Sequence, residues 1–465
     1  MWASAIDWPP RLALRSSNNH CGSKEEPLTM PSPDTKRSAA AVLGSPNFIV
    51  AVAFALRMVL LWLSHRHEDL GNPRFETIGL EARLVAYSLA QGKGFFGPYP
   101  GYEAMTACIA PVYPFLWAIG IKLFHLGPFG ATVFSQVMNC AFSAATCWPI
   151  FAIGKRVFGE KAGIASAWLW GFLPYAVLMP LEWTWDQSLA ALVLALIVQS
   201  TFALRESDSS LHWTWYGLLW AFAALVNPTL CLLLPFFLAW LVGRKKSIGG
   251  GTLVLAARTV FVFVLALLPW TIRNYYAIDG LVFVKSNFGM ELWLGNNPAV
   301  KKMYTPELHP INNLSQRISL IMAGEPNYNR ARQRQAIAYI ENHPRTFLNN
   351  LSDRFADTWA ATYDSHVEPW ILALHLSRAD VWFCAAFSVS SFAGLILALN
   401  ENWADSLPLA FCLILFPIPY YLTHTAIRYR HPIDPFMTIF TIFTAMKLLA
   451  IFKKRPRPEN SDSLR

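Results

Sequence analysis

The residues of this chain that could do chemistry gather at the ends of apolar runs rather than within them. Glu81 lies in Gly79-Leu80-Glu81-Ala82-Arg83, and Glu182 and Asp186 frame Trp183-Thr184-Trp185. Arg273 and Asn274 follow Pro269-Trp270, Asn287 and Glu291 follow Lys285, and Arg428, Arg430 and His431 share Arg428-Tyr429-Arg430-His431-Pro432. A carboxylate that can take a proton, beside guanidiniums that grip a phosphate through paired N–H donors, suits transfer of a group from a phosphate to a hydroxyl. Each cluster alone also has an ordinary account. Acids at a helix start are favoured by its dipole, interfacial arginines reach toward lipid phosphates, and Glu and Arg on a surface helix face water. The argument for chemistry is their concurrence: separated stretches deliver acids and guanidiniums to one side, while the apolar interiors are nearly bare of charge apart from Arg57.

The elements that must position these clusters are helices in lipid. With 54% hydrophobic and 14% charged residues and a mean hydropathy of +0.33, the chain carries more apolar surface than a soluble core needs. Residues 162–180 and 252–270 are continuous apolar runs without the alternation of a barrel strand, so the spans are helical. They are expected at residues 48–63, 130–154, 161–180, 186–204, 211–227, 229–243, 252–271, 381–398, 405–422 and 432–452. The net charge of +9 comes from short clusters beside apolar runs, an orientation signal rather than a nucleic-acid surface. The seven cysteines include no CxxC pair, which leaves neither a disulfide framework nor a zinc site indicated.

Segment 109–126 decides the topology. It is short, interrupted by Pro111 and Pro114, and carries Lys122. If it does not cross, then Lys36 and Arg37, Lys155 and Arg156, Arg205, Arg244 to Lys246 and Lys453 to Arg455 all fall inside. An interfacial or re-entrant helix is therefore predicted there, and the fold is an all-α polytopic membrane protein of ten spans with both termini cytoplasmic. Residues 1–45 read as a disordered cytoplasmic tail, with Met1 and Met30 both candidate starts. Residues 46–450 form the membrane domain, with a first outer loop at 66–128 and a large outer loop at 275–379; residues 451–465 are a basic cytoplasmic tail. In the first loop, Glu81, Leu84, Ser88 and Gln91 share one face of a short helix. In the large loop, residues 315–359 are expected to form two or three amphipathic helices on the outer surface, a small helical outer domain.

The ordered series of motifs also carries a resemblance. Gly79-x-Glu81 through Gly92-x-Gly94-Phe95, Ala110-Pro-Val-Tyr-Pro, Lys155-Arg-Val-Phe-Gly159, Trp185-Asp186-Gln, Val226-Asn227-Pro228, Pro269-Trp270-x-x-Arg273-Asn274, Asn287-Phe-Gly-Met-Glu291, Gly295-Asn-Asn-Pro298 and Arg428-Tyr-Arg-His-Pro432 resemble bacterial membrane glycosyltransferases of the GT-C superfamily. Within it they are most similar to the protein-mannosyltransferase and aminoarabinose-transferase-like branch, over residues 45–450. The resemblance implies the GT-C fold, an inner (plasma) membrane location with the active site facing outward, and inverting sugar transfer from a polyprenyl-phosphate donor to a hydroxyl. The acceptor class, whether protein, lipid or polysaccharide, stays open.

Carried over by position, Glu81 is the expected catalytic base and Asp186 the second acidic site, with Glu76 competing for the role of Glu81. Relatives of the aminoarabinose branch place a Lys where this chain has Ala110. Donor phosphate binding is therefore assigned to Arg428, Arg430 and Arg273. Glu182, Asn227, Asn274, Asn287, Glu291 and His431 are assigned to substrate. Asp186 and Glu182 could hold a divalent cation, but two oxygen ligands are not diagnostic, and no metal is assigned. Two other readings use the same features: a transporter or flippase of lipid-linked saccharides, and a non-catalytic scaffold for envelope assembly.

Overall fold

Each apolar run expected to span the membrane lies within helix. The computed structural model describes residues 41–65, 79–244, 250–301, 303–362 and 379–454. Glu76 and nearly all of both expected tails lie outside these residues. Among the described residues the protein is all-helical apart from one isolated bridge, Phe96 to Met105.

Among the described residues six stretches are long and apolar enough to cross a membrane: Pro46–His65, Pro128–Phe158, Gln187–Leu204, Gly251–Ile278, Val381–Leu422 and Ile427–Lys453. A seventh arises if Glu160–Phe172 and Pro174–Glu182, bent by 43° at their break, act as one crossing. This count is below the ten expected, for two reasons. Residues 211–227 and 229–243 form the shorter helices Ser210–Val226 and Leu234–Arg244. Residues 381–398 and 405–422 belong to a single stretch whose backbone leaves helical geometry at Asn402 (φ −147°, ψ 63°). Val112–Phe124 in the ambiguous segment has 13 residues, about 20 Å of helix against a hydrocarbon thickness of about 30 Å.

The bend between Glu160–Phe172 and Pro174–Glu182 would strand carbonyls in lipid. Arg57 answers this. From the helix Pro46–His65 it donates to Gly171 O (3.1 Å), Ala176 O (2.9 Å) and Ser143 Oγ (3.1 Å). The guanidinium within the first apolar run is thus a structural cap.

The basic clusters share one set of helix ends. Arg156 pairs with Glu206, Arg205 with Asp405 and Lys447 with Glu401, and Arg244 lies 5.5 Å over the Trp403 ring. The helix Gln187–Leu204 joins this end, through Arg205, to Asp186 at the other. On that opposite side lie the first-loop helix Leu80–Ala90 and the outer helices Phe288–Gly295, Leu314–Ala323, Glu325–Asn342 and Pro344–Ala360.

Candidate active site

Glu81 and Asp186 line a single cavity of about 900 Å³, which also receives Glu182, Asn227, Lys285, Asn287, Glu291, His309, His424, Arg428 and Tyr429. The approach of the first two begins with a glycine. Gly79 caps the helix Leu80–Ala90 in the left-handed conformation (φ +60°), and a Cβ there would sit 2.2 Å from Thr184 Oγ1. Only glycine tolerates both the dihedral and the contact. The turn Trp183-Thr184-Trp185 therefore packs directly on the start of the helix that carries Glu81.

Glu81 is half-buried, its side chain 13% exposed, with Oε1 3.5 Å from His309 Nε2. Burial, then the like charge of Glu291, pushes its carboxyl up to about 7, against smaller opposing effects of Lys285 and Arg428. Asp186 caps the helix Gln187–Leu204 and accepts a hydrogen bond from Asn227 Nδ2 at 3.0 Å. Burial raises its carboxyl too, while Lys285 and the Asn227 bond hold it down. Asn227 is itself fixed, because its Oδ1 accepts from Thr229 N at the 3₁₀ turn that follows.

The opposite wall comes from the large outer loop and the last span. Glu291 accepts from Asn287 Nδ2 at 2.5 Å and lies 3.8 Å from His424 Nδ1. His424 stacks on Tyr304 at 4.7 Å, and burial pulls its imidazole down to about 3, so it stays neutral. Arg428 lies 4.2 Å over the Trp183 ring and 4.9 Å over Tyr429, and Tyr429 stacks in turn on Tyr420 at 4.8 Å. A cation held between aromatic faces keeps a planar guanidinium presented to the cavity. Lys285 lines both this cavity and a second, apolar groove of about 630 Å³ beside Phe263, Leu267, Leu268 and Phe288.

Four expected site residues stand elsewhere. Arg273 donates to Thr106 O (2.6 Å) and Phe95 O (2.9 Å) and lies over the Trp270 ring, so it binds the first outer loop to the helix Gly250–Ile278. Asn274 is fully buried and donates to Val282 O at 3.0 Å. Arg430 is buried against Asp434 (2.8 Å), Thr358 O (3.2 Å) and Ser388 Oγ (3.2 Å). His431 is fully buried, with its ring 5.3 Å from Trp170. Their polar groups are engaged or enclosed in the framework, and none lines the cavity. Among the described residues no group of three or more His, Cys, Asp or Glu side chains could hold a metal ion.

Other residues were missed by sequence reasoning. His309, His424 and Lys285 line the cavity without belonging to an expected set. Glu325 is 3% exposed and gathers Thr106 Oγ1 (2.7 Å), Ala107 N (2.9 Å) and Ser286 Oγ, tying the first outer loop to the segment that carries Lys285. Arg354, fully buried, donates to Tyr421 O and Leu422 O (both 3.1 Å) and to Gly295 O, just before His424. Gly295 is needed there, since a Cβ would lie 1.8 Å from Thr423 O. The only signal for these staples was the glycine and asparagine run at 295–297.

The helical fold has counterparts among known proteins. The family model described as dolichyl-phosphate-mannose-protein mannosyltransferase matches residues 109–270. The archaeal oligosaccharyltransferase AglB from Archaeoglobus fulgidus, solved with an inhibitory peptide and a dolichol-phosphate, superposes with a TM-score of 0.53 at 14% identity. The alignment covers 91% of this chain and 52% of that one.

The chain shares the membrane fold of this oligosaccharyltransferase.

The resemblance read from its motifs holds at that level. The apo form of the same Archaeoglobus fulgidus enzyme gives the same TM-score of 0.53, again with 14% identity and 91% and 52% coverage. The chain thus spans about half the length of the oligosaccharyltransferase it matches. No curated protein matches it by sequence.

Proposed function

We propose that this protein is a GT-C membrane glycosyltransferase that moves a sugar from a polyprenyl-phosphate donor onto an acceptor hydroxyl in the outer-leaflet cavity. One observation carries the reading: Glu81, Asp186 and Arg428 line the same cavity. In the reaction, the acceptor oxygen attacks the sugar C1 and its proton passes to Glu81. The bond from C1 to the phosphate oxygen breaks, and polyprenyl phosphate departs with the electron pair. A single displacement inverts the anomeric centre. Phosphate is already a good leaving group, so stabilising its negative charge matters more than protonating it.

Arg428 and Lys285 are the cations that supply this stabilisation. Arg428 is preorganised by Trp183 and Tyr429, and Lys285 stands where the cavity meets the apolar groove. That placement suits a ligand with an anionic head and a hydrocarbon tail. Glu81, with its carboxyl up at about 7, is a stronger base than an ordinary carboxylate and still available at neutral pH. Asp186, held by Asn227, orients the acceptor. The cavity lies at the helix ends opposite the basic clusters, and the positive-inside rule therefore supports an outward-facing site.

The test is transfer in proteoliposomes, using a radiolabelled polyprenyl-phosphate sugar and candidate acceptors. Label on the acceptor with release of free polyprenyl phosphate is the expected result. Movement of intact donor between leaflets without release would instead make the protein a flippase. Glu81→Gln should fold normally and lose transfer by about 10²- to 10⁴-fold, the usual worth of a general base. Wild-type rates from that variant would acquit Glu81 and move the role to Asp186 or Glu76.

A further inference from the structure

We propose that His309 is the positioning residue of Glu81: its Nε2–H holds one carboxylate oxygen and leaves the other for the acceptor proton. This rests on Glu81 acting as the base, and it adds a partner from a different loop. The tautomer follows from a backbone contact. Ile311 N donates to His309 Nδ1 at 3.2 Å, so Nδ1 is an acceptor and carries no hydrogen. Burial pulls the imidazole down to about 4, so the ring is neutral and its one hydrogen sits on Nε2. Nε2 is the nitrogen 3.5 Å from Glu81 Oε1. Contacts of this kind often start long and tighten when substrate fills the site.

The loop holding His309 is anchored at several points. His309 N donates to Pro306 O at 3.1 Å, and its own carbonyl accepts from Asn312 N and Asn313 N, both at 2.9 Å. Upstream, Asn297 Nδ2 donates to Thr305 Oγ1 at 2.9 Å, and Thr305 N donates to Leu294 O at 3.0 Å. The ring packs edge-on against Tyr99 at 5.8 Å. Asn297, one of the motif residues without a role in the cavity, thereby acquires one: it sets the loop that presents His309.

The ionisable groups in the field of Glu81 are Glu291, Lys285, Arg428, His309, Tyr99, Cys108 and Tyr429. Among them His309 is the neutral group within 3.5 Å of the Glu81 carboxylate, and its loss leaves every formal charge in place. Removing it should therefore make the Glu81 carboxylate harder to form without otherwise changing the electrostatics.

The experiment measures protonation of Glu81 directly on the full-length protein in proteoliposomes. A hydrophobic carbodiimide labels buried carboxyls only in the protonated form, and peptide mass spectrometry reports labelling at Glu81 against pH. In the wild type the midpoint is expected near the value of about 7. His309→Ala should raise it by about one to two pH units, the worth of a hydrogen bond to a charged acceptor. His309→Gln, whose amide still donates, should return it toward wild type. His309→Phe keeps the packing on Tyr99 and should shift like Ala, which covers the case of a poorly folded Ala variant. The rising limb of the transfer rate against pH should move in step, with kcat falling and the donor KM little changed. An unmoved midpoint in both Ala and Phe variants overturns the proposal. Should the midpoint shift while the wild type transfers no sugar, the pairing stands and the transferase reading fails.

Discussion

Arg428 and Arg430 are two residues apart on one short helix, yet they belong to different parts of the molecule. Arg428 lies between the Trp183 and Tyr429 rings at the cavity wall. Arg430 is fully enclosed, bonded to Asp434, Thr358 O and Ser388 Oγ. Residues at i and i+2 of a helix do not share a face. A single turn, Ile427–Arg430, thus supplies one guanidinium to the ligand space and one to the framework. In a membrane protein the same side chain is either exposed to an anion or fully paired, because a half-satisfied charge in a low-dielectric interior is costly.

The largest effect that can test this division is on stability. Arg430→Ala leaves the Asp434 carboxylate buried and unpaired, which typically costs about 3–5 kcal/mol. Thermal unfolding in detergent should show a strongly destabilised protein, with loss of transfer following loss of fold. Replacing both partners, Arg430→Met with Asp434→Leu, should recover most of the stability, since an apolar pair of similar volume is often neutral. A stable Arg430→Ala protein that had lost donor binding would break the comparison and return Arg430 to the cavity.

Removing Arg428 should act the other way. Arg428→Ala takes away a cavity cation whose effect on the Glu81 and Glu291 carboxyls is smaller than that of their burial, so unfolding should change less than in Arg430→Ala. A charge-assisted hydrogen bond is worth about 1.5–3 kcal/mol, so donor affinity should fall by about 10- to 150-fold. Titration with polyprenyl phosphate, followed by tryptophan fluorescence at Trp183, would measure it. Binding unchanged within a factor of two would leave Lys285 as the phosphate contact.

Much of this was legible in the chain, for a physical reason. Glu81 and Asp186 follow motifs in which a glycine and an apolar run fix the backbone, so position along the sequence carries position in space. The outer helices announced themselves by their mixed polar spacing, and the first-loop helix by its glycine stop. The two arginines could not be separated, because one helical turn has too few residues to show a period. His309 and His424 carried no signal either, since a lone histidine in a polar loop has no spacing that marks a site. Arg273 and Asn274 looked like ligands because they sit at the rim, but Arg273 donates to the carbonyls of Phe95 and Thr106 in a loop far away in sequence, and Asn274 to Val282 O just past the end of its own helix. The number of crossings differs from the count by helix length where helices are shorter than a span, or where one stretch breaks at Asn402. Such breaks depend on tertiary contacts that hydropathy does not record.

The smallest effect sharpens the comparison most, because it asks what the aromatic cradle adds to charge. Arg428→Lys keeps the cation but gives up the planar face that lies on Trp183 and the paired donors that match a phosphate. If charge alone held the donor head, Lys would match Arg. If orientation matters, affinity should fall by the worth of a partly desolvated cation–aromatic contact, about 0.5–2 kcal/mol or two- to thirtyfold. Arg428→Lys should then sit between wild type and Arg428→Ala in the same titration, and its affinity should fall more steeply with salt, because an ammonium binds phosphate as a point charge. Equal affinity and equal salt dependence for Arg and Lys would reduce the Trp183 and Tyr429 faces to packing, and the difference between Arg428 and Arg430 to exposure alone.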